Sequence, residues 1–444
     1  MLDRVSKLFL TMAVTAGLGL VSLSAQSQQQ NQAAQGQSKG PQWKDRAEYD
    51  LFSAILKEQT PAKKIELLNS WKEKYPATDF KSERDMIYVI AYAQSNQAQK
   101  TLDAAKEAFA EPPKEPTLLY INALYYTVLA TRGANPTPDN LGVGDKAANT
   151  LLNAGKPTDV KDEDWAKAKT NIYADAHATL GWTALQKKDY ETAEKEFTEC
   201  LKLNPNYAQV SYWLGSAIVA EKKPERFSEA LWQFARAASL DPAQGGFSGP
   251  AAKTTNDYFT KAYNNYHGQD AQGMQQLREQ AKTQPFPPAG FKIKNVEELK
   301  AENEEEFRKK NPSLALWMNL KQALTAADGD QYFSNNMKGA DVPGGAGGVQ
   351  TFKAKLVSAK PELHPKQLVV AVADGSTPDA TLNLDAALPG KAEPGIEIEF
   401  SGVPASYTKD PYNVTFDVEK KKINGWTGKD AAPVRHRATK KKAQ

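Results

Sequence analysis

Two neighbouring stretches carry the same residues at the same offsets, and no other feature of the chain narrows its fold so far. Leu180-Gly181 recurs thirty-four positions on as Leu214-Gly215. Ala193, Phe197 and Pro205 recur as Ala230, Phe234 and Pro242 once three extra residues near Lys223 are allowed for. A period of this length is one helix-turn-helix unit used twice, and such a unit buries its apolar face only by stacking on a neighbour.

Across residues 174–242 the small, large and proline positions fall where the tetratricopeptide pattern puts them, so the stretch resembles that family. The resemblance implies a right-handed stack whose first helices line a concave groove that receives a peptide or a helix. Carried onto this sequence, the groove positions are Asp175, Ala178, Trp182, Leu185 and Gln186 from the first unit. Gln209, Tyr212, Ser216, Val219 and Ala220 come from the second. Trp182 and Tyr212 stand out, because aromatics that lose water in a pocket dominate binding, at roughly 2 kcal/mol or more each when they are hot spots. The competing reading packs them against the preceding helix near Trp165. Family members that clamp a terminal carboxylate use Lys, Arg and Asn on these helices, and that set is missing. An aromatic, weakly polar groove suits an extended or helical apolar segment.

Helical spacing runs well beyond the clear repeats, so a helical domain is expected over residues 43–338. Tyr49, Phe52, Ile55 and Leu56 form one apolar face, Ile65, Leu68 and Trp71 the next, then Met86, Ile87, Ile90 and Ala91, then Leu102, Ala105 and Phe109. These read as degenerate pairs of the same solenoid. Residues 118–129 are apolar nearly all round, as a helix sandwiched between neighbours would be. The Pro, Gly and Asn of residues 133–144 predict a loop. Tyr258, Phe259, Ala262, Tyr263 and Tyr266 stripe a helix that would cap the stack. The charge run over 296–310 predicts a solvated helix with Glu-to-Lys pairs at helical spacing rather than a docking site.

Residues 339–348 are rich in glycine and predict a linker. Beyond it, over 349–428, apolar residues alternate: Phe352, Ala354 and Leu356; Leu368, Val370 and Val372; Leu382 and Leu384; Ile396, Ile398 and Phe400; Val414, Phe416 and Val418. Five short strands in a small all-β domain are expected. Residues 389–402 resemble part of the five-stranded oligonucleotide/oligosaccharide-binding (OB) barrels, with a generic small barrel or sandwich as the alternative. The fold class is therefore α+β, a helical solenoid followed by a small β-domain.

Arg4 and Lys7 precede an apolar run over 8–23 that ends in small residues. This predicts an export signal over 1–25 and a periplasmic or envelope location. The run is short of the roughly 20 residues a spanning helix needs, and an uncleaved membrane anchor is the alternative. Residues 26–42 are polar and low in complexity and read as a disordered leader. After Glu419 come nine Lys or Arg against one acid, Asp430, and residues 429–444 read as a disordered basic tail that is sticky for anionic surfaces. A net charge of +3 gives no case for dedicated nucleic-acid binding.

No catalytic constellation emerges. His177, His267, His364 and His436 lie far apart in sequence, without a second histidine or carboxylate at ligand spacing. Cys200 stands alone at a small-residue position and reads as a buried, inert thiol. No enzyme activity, cofactor or metal is expected. The leading reading is an exported scaffold that binds a protein segment in its groove. The alternative makes the β-domain an oligosaccharide or nucleic-acid binder, with the repeats serving oligomerisation.

Overall fold

The computed structural model describes residues 41–344 and 348–430. The expected export signal, all but the end of the polar leader, three residues of the glycine-rich stretch and nearly all of the basic tail lie outside these residues. The chain divides into two compact units between Asn295 and Val296.

In the first unit, helices pair in sequence. These pairs are α1 (Arg46–Lys57) with α2 (Pro61–Lys74), α3 (Lys81–Gln94) with α4 (Ala98–Ala108), and α5 (Leu118–Thr131) with α6 (Pro138–Asn153). They continue with α7 (Asp162–Gln186) and α8 (Tyr190–Leu203), then α9 (Ala208–Ala220) and α10 (Phe227–Ser239). The first helices of successive pairs pack on one another from α3 through α5 and α7 to α9. α11 (Gly249–His267) and α12 (Ala271–Thr283) both close over α10.

The repeated glycines have a steric reason. A Cβ on Gly181 of α7 would lie 2.5 Å from the ring of Phe197 on α8, and one on Gly215 of α9 would lie 2.7 Å from Phe234 on α10. Each glycine is the notch into which the second helix sets its phenylalanine, and both rings are fully buried. The three extra residues of the second unit form a 3₁₀ turn, Pro224–Arg226. The turn aims Arg226 at three carboxylates, with two bonds of 2.8 and 2.7 Å to Glu194, one of 2.8 Å to Glu221 and two of 3.1 and 2.6 Å to Glu229.

The loop expected over 133–144 is only half a loop, because α6 starts at Pro138. Thr137 accepts the N–H of Asn140 at 3.2 Å, proline occupies the first turn, and Gly144 marks where α6 crosses Thr131 too closely for a side chain. The stack ends on Arg236 of α10, which is 1% exposed. Its guanidinium donates to the carbonyls of Ala281, Lys282 and Gln284 at the end of α12, and to the carbonyl of Pro205 and the Asn206 side chain before α9. Burial pushes its pKa down.

The second unit contains α13 (Val296–Lys310), α14 (Pro312–Thr325), α15 (Gly329–Asn336) and seven strands. The expected boundary after residue 338 is therefore wrong. Trp317, Leu320 and Leu324 of α14 and Phe333 of α15 are buried in one core with the strands, as is Val342 inside the expected linker. Pro343 and Val349 form an antiparallel bridge, and Gly344 N–H reaches the Gly348 carbonyl at 2.7 Å, so the described residues at either side of the glycine-rich stretch are paired just ahead of the sheet.

The strands are β1 (Phe352–Lys360), β2 (Gln367–Ala371), β3 (Ala380–Leu384), β4 (Glu397–Phe400), β5 (Val403–Lys409), β6 (Tyr412–Val418) and β7 (Ile423–Asn424), in the order β5-β6-β3-β2-β1-β4-β7. All pair antiparallel except β3 with β6. Among the described residues, seven strands replace the expected five. Pro404 and the polar Ser406 and Thr408 hide β5 from an alternation search, and β7 is too short to show.

The sheet is rolled. β4 and β6 stand four places apart, about 19 Å in a flat sheet, yet the Phe400 and Phe416 ring centroids are 5.4 Å apart. Only Ser401 and Gly402 separate β4 from β5, which lies at the far edge of the order, so the chain itself bends across the seam. A Cβ on Gly402 would meet Val418 at 2.6 Å, which explains glycine at the bend. Trp317 fills the interior. Its ring lies 5.2 Å from that of Phe352, and its Nε1 donates to Asp379 Oδ2 at 2.8 Å. The buried Asp379 carboxylate also accepts the N–H groups of Val372 and Ala373.

Candidate functional site

The groove positions carried over from the repeat resemblance separate into three groups. Asp175 and Ala178 are taken up inside the stack. Asp175 Oδ1 accepts from Arg132 Nη2 at 2.8 Å and from the Tyr207 hydroxyl at 3.2 Å, while Oδ2 accepts from the Tyr125 hydroxyl at 2.9 Å. Arg132 Nη1 closes the network on the Tyr207 oxygen at 2.7 Å. Burial, reinforced by Asp175, pushes the Tyr207 hydroxyl up to about 12. Burial opposes the Arg132 charge, but the Tyr207 and Asp175 oxygens outweigh it and hold the guanidinium protonated. Asp175 thus ties α5, α7 and the turn before α9 together. Its partner at Arg132 lies far upstream, beyond the reach of a repeat comparison. Ala178 is fully buried.

The second group is half-buried. Trp182 on α7 and Tyr212 on α9 pack against the core of the repeat pairs without being enclosed by it, and Gln209, Leu185, Val219 and Ala220 are also half-buried. The Tyr212 ring lies 5.7 Å from Phe234 and 5.6 Å from Tyr258 of α11. Tyr258 is 40% exposed, so an aromatic ledge runs from α9 onto α11. The tyrosine stripe of the capping helix was the signal for it. Ser216 spends its hydroxyl on the Tyr212 carbonyl at 2.9 Å. Gln186, exposed at the end of α7, stands by itself as the third group.

His177 does not sit in an apolar core. Its Nδ1 meets Glu196 Oε2 at 2.7 Å, joining α7 to α8. Cys200 is fully buried, and burial pushes its thiol up. On the second unit, a recess of about 430 Å³ lies over the outer face of β1 and β4, where Lys353 and Lys355 oppose Glu399 and Glu397. No aromatic residue lines it. Phe352, Phe400, Phe416 and Tyr412 all point into the core instead, and Tyr407 and Trp426 are partly buried against it.

The tetratricopeptide repeat family model matches residues 174–207. No curated protein matches the chain. Among solved structures, a MamA variant (MamA D159K mutant 1) aligns at 15% identity over 46% of this chain and 98% of its own, with a TM-score of 0.28. TTC0263, a thermophilic TPR protein of Thermus thermophilus, aligns at 14% identity over 49% of this chain and 95% of its own, with a TM-score of 0.26. Residues 174–207, with Gly181 notched to receive Phe197, are a tetratricopeptide repeat, the kind of stacked helical pair from which protein-interaction scaffolds are built.

Proposed function

We propose that the chain is an exported, non-enzymatic scaffold that holds an extended or helical apolar segment of a partner protein along the Trp182, Tyr212 and Tyr258 face of the solenoid. The observation that carries this reading is a set of aromatic rings left partly exposed on the first helices α7 and α9 and on the capping helix α11. Rings of this kind gain most when a partner removes their remaining water. Gln186 and Gln209 lie on the same helices and offer hydrogen bonds without fixed charge. Export rests on Arg4 and Lys7 ahead of the apolar run.

Binding to a partner recovered from envelope extract, measured beside thermal melts, tests the assignment. The preparation should be the mature protein, and mass spectrometry of its first residue tests the export signal. Trp182→Ala and Tyr258→Ala are expected to weaken association with little change in melting midpoint. Tyr212→Ala should affect both, because its ring already rests on Phe234. Phe197→Ala, the control, should cost about 3 to 5 kcal/mol in stability. A collapse in stability for Trp182→Ala matching that of Phe197→Ala would place Trp182 in the core and remove the site.

The rolled sheet, with its bend at Gly402 and its β1 shared between β2 and β4, supports an OB-like reading of the second unit. Its outer recess lacks the aromatic rings on which single-stranded nucleic acids stack, so the ligand-binding alternative is not favoured.

A further inference from the structure

Among the described α-helices, α13 alone has no buried residue. Its exposed surface is not uniform, however. At 100° per residue, Val296, Leu299, Asn303, Phe307 and the stem of Lys310 fall within a stripe about 80° wide. Val296 and Phe307 are 48% and 37% exposed. The charge is graded along the axis. Apart from Lys300, the first two-thirds carries only acids, from Glu297 to Glu306, and the last turn carries Arg308, Lys309 and Lys310. Pairs within the helix, Lys309 to Glu305 at 2.6 Å and Lys310 to Glu306 at 2.5 Å, are solvent-exposed and hold the helix only weakly.

We propose that α13 pairs antiparallel with α13 of a second copy of this chain, about a two-fold axis at Asn303. Reversal sets Leu299 of each copy beside Phe307 of the other and Val296 beside the Lys310 stem, while the two Asn303 side chains meet on the axis. It also brings the basic last turn of one helix level with Glu297 and Glu298 of the other, and opposes the two helix dipoles favourably. Parallel pairing would set acid on acid and base on base. This charge complementarity selects a second copy over an unrelated apolar partner. A polar residue in the middle of the stripe fixes the register, as single asparagines do in coiled coils. The helix is only about 22 Å long, and its stripe falls short of the roughly 1,200 Å² that a stable interface buries. The dimer is therefore weak and sensitive to salt.

Cysteine crosslinking of the full chain tests the pairing, and the native Cys200 does not interfere because it is buried. Under mild oxidation Asn303→Cys should crosslink about 100-fold faster than Gln322→Cys, an exposed position on α14, because docking raises the effective thiol concentration about 1,000-fold, from micromolar to millimolar, in the roughly one-tenth of chains that a weak dimer holds paired. Val296→Cys should react slowly alone and rapidly when combined with Lys310→Cys. Adding Phe307→Asp, or raising the salt, should slow the Asn303→Cys reaction toward the Gln322→Cys rate. An Asn303→Cys rate no greater than that of Gln322→Cys would overturn the proposal. So would fast self-crosslinking of Val296→Cys alone, the mark of parallel pairing.

Discussion

In the solenoid, Phe197 and Phe234 are each buried against a glycine on the helix immediately before. In the second unit, Trp317 finds its hydrogen-bond partner Asp379 across 62 residues, and Phe416 meets Phe352 and Phe400 only because the sheet has rolled. The first arrangement repeats one contact between sequence neighbours, so each pair of helices depends on the pairs beside it. The second gathers Trp317 and side chains from every strand into one core, so no part of it is complete without the rest. Damage should therefore stay local in the solenoid and spread through the rolled sheet.

The sharpest test is Trp317→Ala. Loss of packing should cost about 3 to 5 kcal/mol, and Asp379, left short of a donor, about 1 to 3 kcal/mol more. Calorimetry should show the second unit's transition lost or greatly lowered while the solenoid's transition persists. If both move together, the two units are not independent. A smaller effect is expected from Gly215→Ala, where overpacking against Phe234 should cost about 1 to 3 kcal/mol. Hydrogen exchange should speed up in α8 to α11 and stay unchanged in α1 to α4; loss of protection at the far end would contradict nearest-neighbour stacking. Smallest is Glu194→Gln, which removes one of three carboxylates from Arg226. A cost of about 0.2 to 1 kcal/mol that shrinks with added salt fits a half-exposed cluster. A larger, salt-independent loss would make the turn at Arg226 essential to the stack.

The same contrast governs what could be read from the sequence. Gly181 and Phe197 were legible because their contact recurs in the second unit once its three extra residues are allowed for, so the pattern carries the packing with it. Trp317, Leu320 and Leu324 show helical spacing, but spacing does not say what a helix packs on, and it places them with the solenoid when they belong to the sheet. Gly144 reads as loop because a glycine that permits a close helix crossing looks the same as one that permits a turn. The aromatic positions Trp182 and Tyr212 were found through the repeat, whereas the engagement of Asp175 by Arg132 depends on a contact between pairs that no repeat offset encodes.

Arrays of helical pairs ordinarily lengthen or shorten by whole pairs, because a duplicated or deleted unit disturbs only one junction. Arg236 removes that freedom at one end. Three of the carbonyls that receive its guanidinium come from the end of α12 and the residue just after it, so deleting residues 271–284 would leave the cation with only the Pro205 carbonyl and the Asn206 side chain and would uncover the face of α10 on which α12 packs. A new pair inserted after α10 would have to present carbonyl oxygens at the same point. Gene duplication can add units on the amino-terminal side of this array, but its carboxy-terminal count is locked by a single side chain.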